Sequence, residues 1–263
     1  MNAGVATTGG TAERRVVAAT MGPTIHDVHA WRFRVVPDLI EVVADPARFR
    51  SVQDPSGRGL HLSCGAALVN LRLAAAQLGH EAVVRLLPDP SRPTLLATVR
   101  LAGHHRVSRS ERLLFAATLR PFPARRPELG SPPPLPLLNE LAEAARLEGA
   151  TFLAMPGDTG ISQRAVLATR GNSPAEWIRA GQALQRVLLT GVTRAVSASF
   201  SYKVVDVLSV QGMLQHGDVA QIELDLTCRM PLPATAMPTG PAVAPLRAER
   251  RQHERQRDGR PVG

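Results

Sequence analysis

Lysine is almost absent from this chain, and aromatic side chains and cysteines are few. Lys203 is the single lysine among 31 basic residues, so arginine carries nearly all of the positive charge. Phe, Trp and Tyr make up 3% of 263 residues, which leaves Leu, Val and Ala to build the core. Two cysteines, Cys64 and Cys228, cannot form a disulfide framework or a cysteine zinc site, and they point to a reducing cytoplasm. No apolar run approaches the roughly 18 residues of a membrane-spanning helix, so none is expected. Residues 1–12 show no basic start followed by an apolar run, so no secretory signal is expected. The chain also lacks a Walker loop, a Gly-x-Gly-x-x-Gly turn and a Gly-x-Ser-x-Gly elbow. The usual phosphate cradles and the common serine hydrolase site are thereby excluded.

What is present has ordinary globular composition, 44% hydrophobic and 20% charged, enough for one large domain or two small ones. The formal net charge is +9. Most arginines are scattered, and only the tail 247–260 concentrates them, with six Arg against Glu249, Glu254 and Asp258. Almost no apolar residue follows Leu246, so the tail reads as a solvated, disordered end. No aromatic residues interleave with its cations, and nucleic acid is not an expected partner.

Two halves can be traced, each with helices and strand-like runs. Trp31–Val36 and Leu39–Ala44 are β-rich segments around Pro37-Asp38, a hairpin signal. After the turn residues 54–59, residues 63–79 place Leu68, Leu71, Ala75 and Leu78 at helical spacing, with Gly79 as a C-terminal stop. Small residues on several faces mark this helix as buried. Residues 82–87 and 95–102 form a second hairpin-like pair across Pro88-Asp89-Pro90. The second half opens with the Pro-rich stretch 121–136, then a helix from Pro136 to Gly149. Strands are expected at 151–155, 166–169 and 219–226. Ser173-Pro174-Ala175-Glu176 is a capping-box pattern that opens a helix through Trp177, Leu184 and Leu188. Alternation of this kind predicts an α+β fold.

Candidate chemistry is sparse. His26 and His29 make a His-x-x-His pair, but spacing supplies no further metal ligand, and a structural turn histidine is the commoner case. Composition and spacing alone end at an α+β domain.

Four segments, residues 21–33, 54–58 with 62–74, 85–90 and 177–189, together resemble the Acg-like branch of the nitroreductase superfamily. Residues 21–33, with His26, Trp31, Arg32 and Phe33, resemble its "APSxHNTQPWRF" segment. Asp54-Pro55-Ser56-Gly57-Arg58 and residues 62–74 are similar to "DPxGRELxISCGAALxNLRLA". Residues 85–90 look like "RLLPDP", and residues 177–189 resemble "WLRAGQALQRVLL". The resemblance spans residues 16–226.

It implies a nitroreductase-like fold with a mixed or antiparallel sheet packed by helices, as a domain-entwined homodimer with FMN at the subunit interface. The implied domain is residues 16–230, in two related halves (16–115 and 135–230), between a flexible start at 1–15 and the basic tail 231–263. The implied activity is FMN-dependent NAD(P)H oxidation with nitroaromatic or quinone-like small-molecule acceptors. No catalytic residue is assigned, because the flavin carries the chemistry. Carried over position by position, Arg120 and Arg125 match the phosphate ligands, while His26, Asp27, His29, Trp31 and Asn70 match positions around the flavin.

The match is uneven. Asp27 stands where the branch has asparagine, and His29 where it has glutamine. A family Thr-Asn pair has become Pro123-Ala124, and Asp225 replaces a late cation. An ionised Asp27 accepts hydrogen bonds and cannot donate one to a flavin carbonyl. These departures keep open an alternative, a non-catalytic relative that stores FMN or has lost it. Trp31 can equally be a core residue, and Asn70 an ordinary hydrogen-bonded core amide.

Overall fold

A computed structural model describes residues 9–20, 30–45, 47–48, 54–120, 130–157, 160–202, 210 and 212–229. The first half opens with helix α1 (Gly9–Ala19), which begins inside the segment read as a flexible start and buries Val16 completely. Strands β1 (Trp31–Val36) and β2 (Leu39–Ala44) then form the expected hairpin, Trp31 opposite Ala44 and Val36 opposite Leu39. Asp38 closes the turn at φ 59°, a left-handed conformation that aspartate tolerates better than most residues. Helix α2 (Arg58–Gln77) leads to β3 (His80–Leu86) and β4 (Leu95–His104). The four strands make an antiparallel sheet in the order β1-β2-β4-β3.

Helix α3 (Arg109–Thr118) closes the first half, and in the second α4 (Leu135–Arg146) and α5 (Pro174–Thr193) accompany a second antiparallel sheet. Its strands are β5 (Gly130–Ser131), β6 (Thr151–Ala154), β7 (Gln163–Arg170), β8 (Val196–Ser201) and β9 (Asp218–Arg229). They run β5-β9-β7-β6, with β8 also paired to β9. Every described ladder is antiparallel.

Two large apolar clusters meet along the seam between α2 and α5. One packs α2 and α1 beneath the first sheet through Ile40, Val42, Leu68 and Leu71. The other packs α4 and α5 beneath the second through Leu141, Leu184, Ile222 and Leu224. Each helix reaches into the opposite cluster, α2 with Leu62 and Ala66, α5 with Ile178. α2 is apolar on nearly every side, which is the pattern of a central core helix. It is long and apolar enough to cross a membrane, yet 89% of that window is buried inside the fold.

Glycine sets the closeness of this seam. A Cβ on Gly65 would lie 2.1 Å from the Ile178 carbonyl oxygen, and one on Gly181 would lie 2.0 Å from that of Leu62. A charged clip lies beside it. Glu148, 8% exposed, accepts from Arg72 Nη1 of α2 at 2.6 Å and from Arg186 Nη1 of α5 at 3.0 Å. With both guanidiniums in place the buried carboxylate is paired twice.

Helix starts follow local chemistry. Ser173 Oγ accepts from the Glu176 N–H at 3.4 Å with Pro174 in the first turn of α5, one half of the expected capping box, while the Glu176 carboxylate pairs with Arg179. A complete capping box, both bonds present, joins Ser108 and Glu111 at α3. α2 uses a different device, in which Asp54 Oδ2 accepts the Leu60 N–H at 2.9 Å and Gly57 turns the chain at φ 71°. Arg58 then ties the start of α2 to β9, donating from Nη2 to the Gln221 side-chain oxygen at 2.8 Å.

Candidate functional site

Three of the seven residues matched to flavin positions lie among the described residues: Trp31, Asn70 and Arg120. His26, Asp27, His29 and Arg125 lie outside them, as do Pro123-Ala124 and the tail 231–263.

Trp31 opens β1 and is half-buried against the first core. Its indole N–H donates to Ser63 Oγ on α2 at 3.0 Å, and its ring lies 5.1 Å, centroid to centroid, from that of Phe33. Asn70 sits seven residues further along α2 and is 2% exposed. Gln185 Nε2 donates to its carbonyl oxygen at 2.8 Å across the α2–α5 seam. The Gln185 oxygen is itself buried with no hydrogen-bond partner among the described residues. Both matched residues therefore direct polar atoms into the protein interior. Asp225 lies within β9, opposite Arg164 of β7 and Ser199 of β8.

Arg120 is placed differently. It follows α3 and is exposed on the rim of a groove of about 610 Å³ between α3 and α4, with part of α5 lining it. Four arginines line this groove: Arg109, Arg120, Arg186 and Arg194. Arg186 is held by Glu148, and Arg194 donates to Glu140 from Nη2 at 2.8 Å. Glu143, the other acid of the groove, pairs with Arg146 at 2.7 Å. Arg109 and Arg120 have no ion pair among the described residues. Leu113 and Leu147 also line the groove and are 52% and 53% exposed.

Sequence reasoning reached Arg120 and missed the groove. α3 carried its own start signal in Ser108 and Glu111, but the other two walls come from segments far along the chain.

Flavin mononucleotide needs a cation for its phosphate and hydrogen-bonding groups at the ring edge. Among the described residues, Arg120 meets the first need with an uncommitted guanidinium. Trp31 and the Asn70 carbonyl are engaged inside the core. The described residues thus fit a phosphate and leave the ring edge to be met by others.

The antiparallel α+β arrangement has a solved counterpart. A crystal structure of a provisionally named nitroreductase from Anabaena variabilis superposes with a TM-score of 0.54. It covers 73% of this chain and 69% of its own, at 12% sequence identity. The chain has the nitroreductase fold. Sequence similarity adds partial matches. A provisionally named NAD(P)H nitroreductase of Mycobacterium tuberculosis is 42% identical over 81 residues, 31% of this chain and 24% of its own length. The protein named acg in that organism, with the same provisional activity, is 32% identical over 104 residues, 40% of this chain and 31% of its own. The recognition as a relative of the Acg-like proteins is supported by these matches. The aligned stretches span a quarter to a third of those relatives. No family model matches the chain.

Proposed function

We propose that this nitroreductase-fold protein is an FMN-dependent NAD(P)H oxidoreductase that reduces nitroaromatic or quinone-like acceptors as a cytoplasmic homodimer. The observation that carries the proposal is Arg120, an exposed cation with no ion pair among the described residues, at the position matched to a phosphate ligand. When bound, the flavin supplies the electron transfer between NAD(P)H and the acceptor. In this reading Arg120 and Arg125 hold its phosphate by charge-assisted hydrogen bonds. His26 and His29 line the ring or the acceptor side. Asp27, when ionised, sets a negative charge beside the ring and disfavours further negative charge there. The two free cysteines support a reducing compartment.

A second reading is favoured by the inward commitment of Trp31 and Asn70: a relative that stores FMN or has lost it. One experiment separates the two. The purified protein is mixed with FMN, freed of excess and examined by absorbance, then treated anaerobically with NADH or NADPH. A flavin band that bleaches supports the oxidoreductase, and a band that resists bleaching supports storage. Absence of any band removes flavin from the account. Arg120→Ala together with Arg125→Ala should abolish retention; undiminished affinity would refute the phosphate assignment.

A further inference from the structure

The groove between α3 and α4 has features that phosphate binding at Arg120 leaves unused. Arg109 opens α3 at the far end, about 16 Å from Arg120 by the helical rise of 1.5 Å per residue. Its guanidinium has no acidic partner among the described residues, and Ser110 brings a hydroxyl beside it. From there the groove is walled by Leu113, Ala117, Ala144 and Leu147. Leu113 and Leu147, both lining the groove, leave about half of their surface exposed. Glu140 and Glu143, the acids on the α4 wall, are neutralised by Arg194 and Arg146. A cation without an acidic partner among the described residues, at one end of a trough with leucine and alanine walls, is complementary to an anion with an apolar body. The volume, about 610 Å³, falls within the range of about 300–1,000 Å³ typical of small-molecule sites.

We propose that this groove binds an amphipathic organic anion of the acyl-carboxylate class, its head group on Arg109 and Ser110 and its chain along Leu113 and Leu147. The site does not use Arg120, the residue that the flavin reading assigns to the phosphate. Arg109 holds the head through charge-assisted hydrogen bonds, and the leucines lose water contact along the chain. The polar end confers selectivity for an anion over an alcohol of the same length. Salt weakens binding, since the head group stays near solvent.

The test uses the full chain and a fluorescent acyl carboxylate, dansyl undecanoate, titrated at low salt. Decanoate should displace it and decanol should not. Arg109→Ala should weaken binding about tenfold, the loss of one charge-assisted contact. Leu147→Glu, which places an acid in the trough, should abolish it, whereas Arg112→Ala on the same helix should bind as the parent does. Unchanged affinity in both Arg109→Ala and Leu147→Glu would overturn the site, as would equal displacement by decanol. Displacement by FMN that vanishes in Arg120→Ala would also overturn it, by assigning the groove to flavin. Because the probe is read by its own fluorescence, failure here leaves the flavin absorbance result standing, and the reverse.

Discussion

Gly65 of α2 and Gly181 of α5 each face the other helix's backbone with no room for a β-carbon. The hypothetical Cβ atoms would sit 2.1 Å from the Ile178 oxygen and 2.0 Å from the Leu62 oxygen. Backbone, unlike a side-chain tip, cannot swing aside. A chain poor in aromatics can still make a dense core if its central helices approach this closely, because short side chains then leave no gap.

Gly65→Ala and Gly181→Ala should therefore destabilise the protein. Alanine is the better helix former by roughly 1 kcal/mol. Forcing the helices apart should outweigh that, for a net loss of about 2–3 kcal/mol by analogy with overpacked cores. The double variant should cost less than the sum, since helices separated once admit both methyl groups. Urea unfolding midpoints measure this; single variants within about 0.5 kcal/mol of the parent would refute the close approach.

Glu41 supplies a pH test. It points away from the core face of β2 yet is 6% exposed, because Arg34 and Arg92 lie over it. Arg34 Nε donates to it at 2.7 Å and Arg92 Nη1 at 3.2 Å. Burial alone raises its pKa, but the hydrogen bonds from Arg92 and Arg34 outweigh burial and hold it below the ordinary value. A carboxylate lowered on folding stabilises fully above its unfolded value of about 4.3 and loses that stabilisation as pH falls through the folded value. Glu41→Gln should lower the unfolding midpoint at neutral pH, and the gap to the parent should close below about pH 4. A gap of constant size from neutral to acid pH would show that charge is not its source.

The two thiols should differ sharply in reactivity. Burial raises both, Cys64 far above its ordinary range because it lies wholly inside α2, and Cys228 more modestly in β9. Since the thiolate is the nucleophile, an aromatic disulfide reagent at neutral pH should label Cys228 slowly and Cys64 only in denaturant. Rapid release of two equivalents from the native protein would contradict the burial of Cys64.

Where local pattern decides structure, the sequence was legible. β1 and β2 match their expected limits because alternation and the Pro37-Asp38 turn act over a few residues. The start of α2 was read five residues late, since Gly57-Arg58-Gly59 looks like a turn. Asp54 and Gln221 rescue those residues for the helix, and Gln221 is 163 positions away from Arg58. α3 went unread because its buried face is only Leu114, Ala117 and Thr118, set among charged neighbours. β8, with small side chains in Val196–Ser201, becomes a strand through pairing with β9. The groove was illegible for the same reason: its walls are three helices that no short window contains. The partners of Trp31 and Asn70, Ser63 and Gln185, are equally remote in sequence.

The clip of Arg72, Glu148 and Arg186 bears on how this chain can be recombined with its relatives. Its members arise from two different halves, yet one carboxylate serves both arginines. A chimera that exchanged one half for a relative's would carry over either the acid with one base or a base alone. Unless the incoming half restores the missing charge, the hybrid retains an ion in the interior with its counterpart left behind in the other parent. The three positions are therefore inherited usefully only as a set, and the point where a crossover falls matters more than how similar the parents are.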